Sequence, residues 1–285
     1  MTIDLRKIFI LSLVGWFSMG HAAFGEETPA TQFPERFKIW GGYQYLFGLD
    51  ATLRYDGSRT NFGTSIDWED DLNGETTDNM IRAGLEWRLA RNHALQFSFY
   101  TMNFDGDGSI DQNFQIDDTI FQAGARVKSE LDVDLYRFLY SYSFYRSDKV
   151  ELRISPGMYF AELDAKFKGS LTIKPGDLPT SSQTRTIKES QFAPLPTAGF
   201  SADYKIFPRL TGTFRADYFY VQINDIEGSM AELYIGLEYR VFDHFAIGTA
   251  FNRLWMDLDW NSGKSNGWKV DATWNGVMGY GAIYF

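Results

Sequence analysis

Hydrophobic and polar positions alternate along most of this chain. Val150, Leu152, Ile154, Pro156, Met158 and Phe160 fall on one side of a two-residue period, and Glu151, Arg153, Ser155, Gly157 and Tyr159 on the other. Tyr136, Phe138, Tyr140, Tyr142 and Phe144 oppose Arg137, Leu139, Ser141 and Ser143. Leu233, Ile235, Leu237, Tyr239 and Val241 oppose Glu232, Tyr234, Gly236, Glu238 and Arg240. Leu95, Phe97 and Phe99 oppose Gln96 and Ser98. Successive strand side chains point to opposite faces, so each segment predicts a strand with one apolar and one polar face. Beyond the amino terminus no segment approaches the ~18 consecutive apolar residues of a spanning helix.

A soluble sandwich alternates too, but two features favour a membrane barrel. The apolar faces are long and aromatic, as spanning strands of ~9–11 residues with interfacial girdles require. The polar faces carry charges well inside the strands, such as Arg82, Glu86, Arg215, Asp217 and Lys269. A barrel in lipid turns such residues into its lumen, and it must close because an open edge leaves backbone groups unsatisfied.

Short polar turns at Ala90–His93, Arg146–Lys149, Phe207–Arg209 and Phe242–His244 alternate with longer connections near 56–61, 67–78, 105–118, 169–188, 224–229 and 259–267. Short turns belong on the periplasmic side and long loops outside. The expected fold is all-β: a transmembrane antiparallel up-and-down β-barrel of ten strands, with eight or twelve as alternatives. The strands are expected at 36–47, 79–90, 94–105, 127–145, 149–168, 190–206, 210–223, 230–242, 244–258 and 268–285. Several outlast a bilayer, so hairpins should project beyond it. Three strands end in acidic–aromatic–basic triplets, Glu86-Trp87-Arg88, Asp203-Tyr204-Lys205 and Glu238-Tyr239-Arg240, which point the aromatic to lipid and both charges inward.

Arg6 and Lys7 precede an apolar run from Ile8 to Phe17, followed by small residues. This reads as a secretory signal peptide over 1–25, cut after Gly25 or alternatively Ala22, with a periplasmic linker over 26–35 and the barrel over 36–285. The composition agrees: 17% aromatic, no cysteine and a net charge of -10. No cysteine excludes disulfides and thiolate chemistry. The negative charge argues against a nucleic-acid partner.

The signal run, the alternating strands and the aromatic end Gly279-Tyr280-Gly281-Ala282-Ile283-Tyr284-Phe285 together resemble the outer-membrane β-barrel proteins of Gram-negative bacteria. The stretches from Gly63 to Leu72 and from Gly236 to His244 look like segments of an uncharacterised small-barrel group, which carries no catalytic residues over. The resemblance implies the cell outer membrane as location and the barrel-insertion machinery as an assembly partner, read through the terminal Phe. Strict alternation puts Tyr284, with Trp268, Trp274 and Tyr280, on the lipid face instead. Either a bulge near Gly276 shifts the register or Phe285 does not face lipid.

By parity the inward cations are Lys38, Arg82, Arg88, Arg137, Arg153, Lys205, Arg215, Arg240 and Lys269. The inward anions are Glu86, Glu151, Asp203, Asp217, Glu232, Glu238 and Asp271. Near balance predicts paired charges filling a narrow interior, since buried charges avoid a large desolvation cost only in pairs. The expected network comprises Arg82, Glu86, Arg137, Glu151, Arg153, Asp203, Arg215, Asp217, Glu232 and Glu238. An ion-selective pore would show rings of one sign.

A barrel enzyme at the outer rim would need an activated nucleophile or water there. The histidines beyond the expected signal peptide 1–25, His93 and His244, fall in short turns at the opposite end. A site built only from Glu69, Asp70 or Asp71 reads better as a solvated loop. Asp105, Asp107, Ser109 and Asp111 alternate as in a calcium loop, but Ile110 and Ile116 stand where Gly and Glu are needed, so a glycine-rich turn is expected. No catalytic residue, metal or cofactor is expected. The partners are outer-membrane lipids and lipopolysaccharide, whose phosphates the acidic loops could bridge through divalent cations. The functional expectation is a non-enzymatic outer-membrane barrel, structural or surface-interacting. The alternatives are a narrow channel for ions or small solutes and, third, an outer-leaflet hydrolase.

Overall fold

A computed structural model describes residues 36–56, 64–109, 114–116, 119–121, 126–171, 183–223, 226–260 and 267–285. The expected signal peptide and most of the linker lie outside the described residues. In chain order the strands are β1 (Phe37–Asp56), β2 (Thr64–Asp67), β3 (Asp78–Ala90), β4 (His93–Ser109), β5 (Phe114–Ile116), β6 (Thr119–Phe121) and β7 (Arg126–Arg146). There follow β8 (Val150–Leu171), β9 (Gln183–Phe207), β10 (Leu210–Ile223), β11 (Ile226–Phe242), β12 (Phe245–Trp260) and β13 (Gly267–Tyr284).

Ten of these are long and pair in the order β1-β3-β4-β7-β8-β9-β10-β11-β12-β13, every neighbour antiparallel. The β13–β1 pairing, from Lys38↔Tyr284 to Asp56↔Gly267, closes the ring. Closure gives every long strand two neighbours, which lipid demands. The four short turns fall where the polar breaks predict them. The long connections are shorter than expected: β4 runs through Asp105 and Asp107 to Ser109, β8 reaches Leu171, and β11 begins at Ile226.

The outward faces show where the membrane ends. Along β8, Val150 to Phe160 presents an apolar outer face of spanning length, and Glu162, Asp164, Lys166 and Lys168 continue the same face. In β7 the apolar outer face from Tyr136 to Phe144 follows a charged one of Arg126, Lys128, Glu130, Asp132 and Asp134. Along these strands the outward surface is therefore apolar over about half of the length and charged over the half on the long-loop side, as expected of a barrel partly embedded in lipid.

The interior changes with it. In the outer half the lumen is apolar: Leu49, Ala51, Leu53, Met102, Phe104, Val133, Leu163, Met256, Leu258 and Trp274 are buried in one cluster. Outward charge with inward apolar packing is the pattern of a soluble barrel, stacked here on a membrane barrel of opposite polarity. The expectation of a polar lumen throughout is corrected: it holds only where the outside is lipid.

A bulge serves this arrangement. β1 slips register between Phe47 and Asp50, with Gly48 at a φ of +61°. Gln44 and Leu46 point inward before it, and Leu49, Ala51 and Leu53 after it. Only glycine takes that φ readily, and the added residue resets the strand's phase.

β3 begins only beside Leu46, and β2 takes its place against the outer end of β1. The following segment crosses the inner face of β4, burying Trp68 and Leu72 in the apolar cluster. Glu75 N–H donates to the Asp105 carbonyl at 2.8 Å, and Gly74 bridges Gly106. A Cβ at Gly108 would lie 2.5 Å from the Leu72 carbonyl carbon and 2.6 Å from the Asp71 oxygen, so that close approach requires glycine. Gly108→Val is expected to expel the 68–75 segment while the barrel keeps its heat-modifiable gel migration. Limited proteolysis should then cut near Trp68; unchanged protection would count against this packing.

Candidate functional site

The lipid-embedded half of the lumen holds the charges, projected from alternate positions of β1, β3, β7, β8, β9, β10 and β11. All ten expected network residues point inward. Arg82 donates from Nη2 to Glu232 Oε1 at 2.9 Å, and Arg137 from Nε to Asp217 Oδ2 at 3.2 Å. Arg215 lies 3.1 Å from Asp217 and 3.3 Å from Glu232. The Tyr159 hydroxyl sits between the two carboxylates, 2.7 Å from Glu232 Oε2 and 3.0 Å from Asp217 Oδ2. The Arg82 Cζ lies over the Tyr100 ring at 4.5 Å and that of Arg215 over the Tyr234 ring at 4.6 Å, so each guanidinium also meets the negative face of an aromatic ring.

Nearer the short turns, Arg153 grips Glu86 with Nη1 at 3.1 and 3.0 Å and donates to Asp203. Arg88 pairs with Glu151 at 3.0 Å and Glu86 at 3.2 Å. Gln96 links the two groups, accepting from Arg137 at 3.3 Å and donating to Glu86 at 3.2 Å. Glu238 stands apart from them in a cluster with Lys38 at 2.6 Å, Tyr280 at 3.0 Å and Tyr284. The triplets work as read: Trp87, Tyr204 and Tyr239 face outward, and their flanking charges enter the lumen.

Three placements correct the sequence reading. Lys269 and Asp271 are on the outer surface, beside Asp257 at 3.4 Å from Lys269. Trp274, Tyr280 and Tyr284 point inward, and Phe285 is exposed. β13 pairs with β12 without a slip from Trp268 to Ile283, so there is no bulge at Gly276; the side chain of Trp268 lies outside the description. The reason is that β13 carries its bulk on the parity of Trp274, Tyr280 and Tyr284, whereas its outward face there is Val277, Gly279, Gly281 and Ile283, so bulk points to the wrong side.

Arg146 was missed. A bulge between Ser143 and Tyr145 turns it inward onto Glu151. Among the described residues the lumen thus holds nine cations, Lys38, Arg82, Arg88, Arg137, Arg146, Arg153, Lys205, Arg215 and Arg240, against six anions, Glu86, Glu151, Asp203, Asp217, Glu232 and Glu238. The near balance expected from parity is replaced by a cationic excess. Gln44 and Asn252, hydrogen-bonded at 2.7 Å, also escaped notice because uncharged amides on a strand carry no distinctive signal.

The described residues line a cavity in each half. One of about 60 Å³ lies in the outer half, lined by apolar side chains including Leu49, Ala51, Met102, Phe104, Val133 and Trp274. The other, about 100 Å³, lies in the charged half.

The remaining candidates are placed as follows. His93 and His244 sit at the short-turn end, His244 Nδ1 3.2 Å from the Tyr284 carbonyl oxygen. Asp105, Asp107 and Ser109 are strand residues, not a turn, and Asp111 lies outside the described residues. Asp107 is held by Arg126 at 2.6 Å, whose guanidinium keeps that carboxyl below the usual carboxylate range. The acids at 69–71 belong to a turn that Asp67 organises, its Oδ1 accepting from Glu69 N–H at 3.0 Å and Asp70 N–H at 2.9 Å.

No family model and no curated protein matches this chain. Solved structures do. The outer membrane protease OmpT of Escherichia coli is similar over 90% of this chain and 99% of its own, at 10% identity and a TM-score of 0.54. The fold is that of the Gram-negative outer-membrane β-barrel proteins. The translocator domain of the autotransporter NalP of Neisseria meningitidis covers 85% of this chain and 87% of its own at 10% identity, with a TM-score of 0.46. The outer membrane protein OprG of Pseudomonas aeruginosa covers 88% and 97% at 11% identity, with a TM-score of 0.38. At this identity the likeness to the protease carries the fold alone.

Proposed function

We propose that this chain is an exported, non-enzymatic barrel of the outer membrane, structural or surface-interacting, with a lumen closed to bulk solute. The observation that carries the reading is the filled interior. Paired charges occupy the half with the apolar outside, and an apolar core under Trp68 and Leu72 occupies the outer half. An ion meeting that core would have to shed its water with no polar group to replace it. The aqueous outer half, with charges on its outside, presents a surface to lipopolysaccharide and to external partners. The non-enzymatic reading is supported by the place of His93 and His244, at the end opposite the outer rim.

The test joins location to transport. The protein should fractionate with outer membranes, migrate differently in gels before and after boiling, and give no steady porin-like conductance in a planar bilayer. Arg153→Ala with Arg215→Ala removes two long side chains and leaves acids unpaired, so water should enter and small-ion leakage should rise. Soluble periplasmic recovery without a mobility shift would refute the location. A large steady conductance of the unmodified protein would promote a channel.

A further inference from the structure

We propose that the polar cavity in the charged half of the lumen binds a small monovalent inorganic anion of the halide class. This inference does not depend on whether the lumen conducts.

Four buried groups line that cavity and have no hydrogen-bond partner in the protein: Ser98 Oγ, Ser201 Oγ, Arg82 Nε and Arg153 Nε. Ser98, Ser201, Arg82 and Arg153 are 2%, 5%, 2% and 7% exposed. A buried donor left unsatisfied is costly, so four of them on side chains that line one space favour an acceptor there. The carboxylates lining the same space are already engaged. Glu86 accepts from Arg88, Arg153 and Gln96, and Asp203 from Arg153 and Thr213.

A water molecule accepts but must also place its own protons. A halide only accepts, and each unmet group, two guanidinium N–H and two hydroxyls, can donate to it. The charge argument agrees, since the lumen carries more cations than anions and the cavity is lined by Lys38, Arg82, Arg137, Arg153 and Arg215 against Glu86 and Asp203. Those two carboxylates repel a divalent anion more than a monovalent one, which selects the class. Size permits it: one water needs roughly 10–15 Å³ on this measure, and the cavity offers about 100 Å³.

The test uses the full-length folded barrel in detergent, unfolded in urea at constant ionic strength while sodium bromide replaces sodium gluconate. Binding to the folded state alone should raise the urea midpoint and saturate with bromide. Ser98→Ala with Ser201→Ala removes two donors and no charge. It should keep the heat-modifiable migration and lose the bromide-dependent part of the midpoint shift. Anomalous scattering from a bromide-soaked crystal should place one ion among Arg82, Ser98, Arg153 and Ser201. Equal midpoints in the two salts, an undiminished bromide response in the double variant, or bromide only at the protein surface would each overturn the assignment.

Discussion

Glu232→Ala is expected to destabilise the folded barrel by about 3–5 kcal/mol, the range for removing one partner of a buried ion pair. Glu232 is buried with its side chain fully screened, and it touches Arg82 at 2.9 Å, Arg215 at 3.3 Å and Tyr159 at 2.7 Å. Its loss leaves Arg82 with no carboxylate in reach and throws Arg215 onto Asp217 alone. The cost is therefore that of stranded cations more than of one lost bond. Arg82→Leu with Glu232→Leu should be less damaging than Glu232→Ala, because both charges then leave the interior together. Urea unfolding in lipid vesicles measures both. A Glu232→Ala barrel as stable as the parent would show that the network is open to water.

Ile154→Arg is expected to cost roughly 2–4 kcal/mol, the value for a cation on the lipid face near the midplane. Ile154 faces outward in the middle of the apolar span of β8 and is 48% exposed on the barrel's outer surface. The neighbouring Ser155 points inward, 2.8 Å from Ser141, so Ser155→Arg is limited by crowding instead of by lipid. Asp164→Arg lies on the same outward face as Ile154 but beyond the apolar span, where water should hold its cost within about 0.5 kcal/mol. Folding titrations of the three variants locate the membrane boundary along one strand. If Asp164→Arg costs as much as Ile154→Arg, the outer half is not in water.

The comparison of β8 and β13 shows how much was legible. In β8 one parity is apolar and the other polar from Val150 to Phe160, so face and membrane side could both be read, and Arg153 and Glu151 could be placed in the lumen. In β13 Trp274, Tyr280 and Tyr284 share a parity that looks lipid-facing by its bulk. Pairing with β1 and β12 turns that parity inward, where Tyr280 and Tyr284 reach Glu238. Likewise Arg146 could not be read as a lumen residue, because nothing in Ser143-Phe144-Tyr145 announces the bulge that turns it.

By itself the sequence determined the alternating segments, the short-turn end and the closed barrel, with ten put first among strand numbers of eight, ten or twelve. These follow from a two-residue period, from turn residues, and from the rule that no edge can stand in lipid. Parity also pointed the ten expected charges inward, although Glu238 lies apart from the other nine beside Lys38 and the same parity put Lys269 and Asp271 on the wrong side. What only the tertiary structure decided is the absolute phase of β13, the resets at Gly48 and Tyr145, the inversion of the lumen from charged to apolar, and which charge meets which. The physical reason is that alternation gives a relative phase. The same pattern fits a strand in lipid with a polar inside and a strand in water with an apolar inside. Only register against the neighbouring strands, fixed around a closed ring, selects between them.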